Sequence, residues 1–117
     1  MSDRNVKENF KPVDPRAVLE KLTRLPVTEW NLLSQPSRIR HIGPMAQDFK
    51  AAFGVGEDDR HISTTDADGV AFAAIQGLHE VVKEKDARIA ELEKRLGSLE
   101  DQVRQLARQI ERSPAAP

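Results

Sequence analysis

The sequence predicts a mostly helical α+β chain. A small head of short helices and a β-hairpin spans residues 1–65, a long C-terminal helix that forms a parallel coiled coil spans 66–112, and a disordered tail follows over 113–117. Three observations carry this. Five of the seven Pro lie before Asp66 and the other two lie in the tail, so the first part turns often and the second can run unbroken. From Ile75 onward, apolar residues recur at alternating steps of three and four. A composition of 38% hydrophobic, 4% aromatic and 32% charged residues is thin for a self-sufficient globule and suits a long, solvent-dressed helix.

Composition also excludes several function classes. A length of 117 residues allows one domain with an extension. With no Cys there is no disulfide framework, thiolate metal site or Cys nucleophile. A net charge of −1 lacks the basic excess of a nucleic-acid binder, so no nucleic-acid partner is expected. No run approaches the roughly 18 apolar residues of a membrane span, and Met1-Ser2-Asp3-Arg4 is no signal peptide, so no membrane partner is expected either.

In the head, Asp14 is the N-cap of a first helix with Pro15 at N1, where the missing N–H costs nothing. Val18, Leu19, Leu22 and Leu25 follow at helical spacing, and Pro26 stops the run. Residues 27–32 alternate with β-branched and aromatic members and read as a strand; Gln35-Pro36-Ser37 is a turn, and residues 38–43 are the weaker hairpin partner. Pro44 at N1 opens a second helix, Met45 to Phe53, which Gly54 ends as a left-handed C-cap. Gly56 to Arg60 is a polar loop. A head of this size falls below the roughly 70–80 residues at which one core usually suffices, so it needs a partner.

Thr64, Thr65, Asp66 or Asp68 caps the long helix. Ile75, Val82, Ile89, Leu96, Val103 and Ile110 take heptad position a, and Leu78, Lys85, Leu92, Leu99 and Leu106 take d. Ten of these eleven are apolar; Lys85, the lone exception, weakens the seam locally or sets register. Arg88 and Arg95 fall at g, with Glu93 and Glu100 at the following e, so parallel in-register chains bring opposite charges together and antiparallel chains oppose like charges. β-branched residues at five of the six a sites with Leu at d favour a dimer on the rules for isolated zippers.

Few groups carry chemistry. His41, His61 and His79 lie too far apart, without Cys or a His-Glu pattern, to form a zinc site. Asp66-Ala67-Asp68-Gly69 starts like a calcium loop but lacks its later ligands, and Gly54-Val55-Gly56 is too short to cradle a phosphate. No metal and no cofactor are expected. A DNA-binding zipper needs a basic helix upstream, and residues 66–82 contain no Lys or Arg. At the N-terminus, Ser2 and Lys7 lie five residues apart. A serine hydroxyl becomes a strong nucleophile when a base accepts its proton, and a lysine amine can be that base. Five residues place the two about 140° apart on a helix and on opposite faces of a strand, so they meet only through a bend or across subunits.

Three segments resemble a known family. They are residues 2–9 (Ser-Asp-Arg-Asn-Val-Lys-Glu-Asn), residues 40–49 (Arg-His-Ile-Gly-Pro-Met-Ala-Gln-Asp-Phe), and residues 66–71 leading into Ala74-Ile75. Together, over about residues 2–96, they resemble the intramolecular chaperone auto-processing domain, the C-terminal module of endosialidase-type phage tailspikes and tail fibres.

The resemblance implies a homotrimer whose C-terminal helices align an upstream fibre or tailspike segment of the same polypeptide and are then released by self-cleavage. On it, Ser2 is the nucleophile and Lys7 the general base of a single-turnover serine endopeptidase. Asp3 and Asn9 are supporting residues, and His41 and Gln47, from the second block, are supporting residues whose simpler role is structural. The trimer interface would comprise the ten apolar a and d residues. The bond cleaved next to Ser2 stays open at this point, as does a non-proteolytic alternative, a trimerisation module or adhesin tip that remains attached. Beginning at Met1, the chain is expected to be the released product or a form imitating it, with its cleavage activity spent or nearly so. The expected setting is virion tail-fibre assembly or a prophage or bacterial surface protein made in the bacterial cytoplasm.

Overall fold

The structure is a computed structural model that describes residues 1–113; most of the expected C-terminal tail, residues 114–117, lies outside the described residues. Elements run in the order α1 (Pro15–Arg24), β1 (Thr28–Trp30), β2 (His41–Gly43), α2 (Ala46–Phe53) and α3 (Thr64–Arg112), preceded by a single 3-10 turn at Arg4–Val6. The architecture is the mostly helical α+β arrangement that the sequence predicts, with a two-stranded antiparallel hairpin and a long C-terminal helix. Met1–Glu80 forms one compact unit and the chain from Val81 onward a second.

In the first unit, Asp14 caps α1 as expected. Its Oδ1 accepts from the backbone N–H of Arg16 at 3.0 Å and of Ala17 at 3.4 Å, with Pro15 in the first turn. Val18, Leu19, Leu22 and Leu25 are half-buried, so the apolar stripe faces inward. The strands are shorter than the sequence suggests. Only three residues of each pair, with Thr28 opposite Gly43, Glu29 opposite Ile42 and Trp30 opposite His41. In place of one turn at Gln35–Ser37 the connection has two, Leu32–Gln35 and Pro36–Ile39, with Gln35 N–H donating to Leu32 O at 3.1 Å and Ile39 N–H to Pro36 O at 2.9 Å.

Two boundaries differ from expectation. Met45, not the residue before Pro44, is the cap of α2, so Pro44 precedes the helix instead of occupying its first turn. Proline fixes only its own φ, which suits the extended lead-in equally well. The cap at the start of α3 is Ser63, whose Oγ accepts from Asp66 N–H at 3.1 Å; a hydroxyl one residue upstream of Thr64 reaches the same orphan donor. The C-terminal stop of α2 is as expected, with Gly54 at φ 65° and its N–H on Lys50 O at 2.8 Å.

The core is small. Phe49 and Ala74 are buried, and Gly77 with them; Phe49 packs beside Phe53 with ring centroids 5.0 Å apart. The burial along α3 in this unit follows Val70, Ala73, Ala74 and Gly77, whereas Ile75 and Leu78 are exposed. The head therefore uses a small-residue stripe of α3 and leaves the a/d stripe uncovered.

In the second unit, α3 continues to Arg112. Arg88 and Arg95 converge on Glu91 at 3.0 and 2.7 Å, and Arg104 reaches Asp101 at 3.1 Å and Glu100 at 3.7 Å. Such exposed pairs contribute under about 1 kcal/mol each. Across both units the ten apolar a and d residues are 46–69% exposed, far too much for side chains of this size unless another surface covers them. No helix among the described residues is long and apolar enough to cross a membrane.

Candidate active site

Ser2 and Lys7 meet within one chain. Lys7 Nζ donates to Ser2 Oγ across 2.6 Å. Of the two routes that five-residue spacing allows, the chain takes the bend. Residues Arg4–Val6 close a single 3-10 turn, with Val6 N–H on Asp3 O and Lys7 N–H on Arg4 O, both at 3.3 Å. The turn compresses the rise between the residues that flank it and brings Ser2 and Lys7 to one side.

Asp3 sets the turn. Its Oδ1 accepts from the backbone N–H of Asn5 at 2.9 Å and from the Asn5 side-chain amide at 3.1 Å, satisfying a donor that would otherwise be left at the start of the turn. Asn9 has φ 56°, a left-handed conformation that a short polar residue tolerates better than most, and it redirects the chain after Lys7. Every side chain in this segment is exposed in the single chain. The pair is thus within hydrogen-bond distance and open to water in the single chain.

His41 and Gln47 sit elsewhere in the unit. Trp30 and His41, paired across the hairpin, have ring centroids 5.1 Å apart at 31°, and Trp30 Nε1 donates to Gly43 O at 3.2 Å. His41 Nε2 lies 2.9 Å from Gln35 Oε1, within hydrogen-bond distance. Gln47 lines a cleft of 540 Å³ together with Trp30, Leu32, Met45, Arg60 and Ile62, among others. Among the described residues, no hydrogen bond links His41 or Gln47 to Ser2 or Lys7. Gln35 and Trp30 are the His41 partners that the sequence reading missed; cross-strand pairing of an aromatic with a histidine was the available signal.

No group of three or more His, Asp or Glu side chains among the described residues is arranged to hold a metal. No curated protein matches the chain. Residues 2–55, which carry the Ser2–Lys7 contact, α1, the hairpin and α2, match the family model described as chaperone of endosialidase.

Proposed function

We propose that the chain is a C-terminal intramolecular chaperone that trimerises an upstream fibre or tailspike segment and is released by serine autoproteolysis at the bond preceding Ser2. The 2.6 Å contact between Lys7 Nζ and Ser2 Oγ is the observation that carries the reading.

Lys7, in its neutral form, takes the Oγ proton. The alkoxide attacks the carbonyl of the residue before Ser2, closing a five-membered ring; attack on the carbonyl of Ser2 itself would close a strained four-membered ring. The C–N bond breaks as the ester forms, and the nitrogen picks up a proton to become the Ser2 amine. Water then hydrolyses the ester, returning the Ser2 hydroxyl and leaving a carboxylate on the upstream segment. Asp3 holds the turn that keeps nucleophile and base together.

Assembly supplies what the single chain lacks. Burying the exposed a and d stripe joins the helices, and neighbouring chains shield the dyad from water, so cleavage follows trimerisation. Release then removes the template for reassembly and traps the fibre kinetically.

A fusion carrying a fibre stalk immediately before Ser2 tests the function. On denaturing gels the unaltered fusion should give two bands, and Ser2→Ala or Lys7→Ala one. A fusion that stays whole yet forms trimers would reject autoproteolysis and leave an attached trimerisation module.

A further inference from the structure

We propose that Lys85, the one polar residue in the heptad seam, forms an ion pair with Asp86 of the neighbouring copy, and that this pair holds the helices parallel. The inference rests on the assembly reading above and specifies its partner surface, a second copy of this chain.

In a parallel pair of helices, a d-position side chain enters a hole formed by the a, d and e residues of the adjacent chain and the next a. For Lys85 that hole consists of Val82, Lys85, Asp86 and Ile89 of the neighbour. The four-carbon stem can lie against Val82 and Ile89, both exposed in the single chain, while the ammonium turns outward to the rim. Asp86, at e, stands on that rim. Its short side chain keeps the carboxylate beside the seam, where a longer acid would reach into solvent.

The charges of the single chain point the same way. Arg88 and Arg95, the other cations flanking the seam here, are already engaged by Glu91 of their own helix. Among the described residues neither Lys85 nor Asp86 has an ion pair or side-chain hydrogen bond within the chain. An uncompensated ammonium in an apolar layer opposes association, and an opposite charge at the hole's edge removes that penalty. In an antiparallel arrangement e faces e, so Asp86 leaves the hole and the lysines lose their partner.

Rescue in trans tests the pair. K85E places two acids on one chain, D86K places two cations on the other, and each alone should associate at least about tenfold more weakly than the unaltered chain by sedimentation equilibrium. In a mixed trimer two of the three interfaces regain opposite charges, so an equimolar mixture should recover assembly in part, with mixed species in native mass spectra. K85L removes the buried charge; it should associate more tightly and make D86K nearly silent in the same background. No recovery on mixing, or a D86K effect of full size in K85L, would overturn the pair while the unaltered chain still forms trimers. An unaltered chain that is monomeric at high concentration would overturn the assembly reading and the pair with it.

Discussion

Gly77 of α3 lies against the backbone of Pro15 at the start of α1, so close that an added Cβ would meet the Pro15 carbonyl oxygen and stand 2.8 Å from its carbon. Both neighbours are backbone, which cannot rotate away. The seat of the capped α1 terminus on α3 therefore depends on a missing side chain in the middle of a helix.

Two glycine substitutions should accordingly have opposite signs. Alanine favours an exposed helix interior over glycine by roughly 1 kcal/mol, and Gly69 has open space where its Cβ would go, so Gly69→Ala should raise stability by about that much. At Gly77 the clash outweighs the helix preference, and Gly77→Ala should lower head stability by roughly 1–3 kcal/mol. Urea unfolding of both variants checks the pair of signs.

Asp3 offers a test that separates capping from charge. If its role is to accept the Asn5 N–H, Asp3→Asn retains the turn, because asparagine caps as well as aspartate, whereas Asp3→Ala loses about 1 kcal/mol locally. In the stalk fusion, Asp3→Ala should slow cleavage roughly fivefold and Asp3→Asn should leave it close to the unaltered rate. Equal slowing by both would assign Asp3 an electrostatic role.

The loop before α3 has an acid-sensitive anchor. The Arg60 backbone N–H donates to Asp58 Oδ1 at 2.8 Å and holds this carboxyl below its usual value of 3.8, helped by the His61 ring. A depressed carboxyl contributes order that is present above its unfolded value and lost as pH falls through the lower folded one. NMR should show the Arg60 and His61 amides of the loop shifting together with a midpoint below 3.8, while α3 remains helical. An Asp58 midpoint at or above the usual value would contradict the anchor.

Caps, prolines and heptads made most of the fold legible. Asp14-Pro15, Gly54 and the a/d series each impose a backbone consequence that few alternatives share. Ser63 was missed because four capping residues crowd the next five positions and local chemistry does not choose among them. The second stripe of α3 was missed for another reason: Ala73, Ala74 and Gly77 give almost no hydrophobic signal, since close backbone approach needs their smallness. At the N-terminus, sequence spacing narrowed the Ser2–Lys7 meeting to a bend or a subunit boundary. The Asp3 cap that makes the bend was visible in the residue type, but only the backbone geometry shows it turned toward Asn5.

In the proposed function, assembly switches on cleavage at Ser2. The most direct measurement is an intact-mass time course of the stalk fusion, unaltered and with Leu92→Asp and Leu99→Asp together, which place carboxylates in two adjacent seam layers. The unaltered fusion should release a fragment beginning at Ser2, and the seam variant should stay monomeric and whole. Release from the monomeric seam variant at the unaltered rate would contradict the claim.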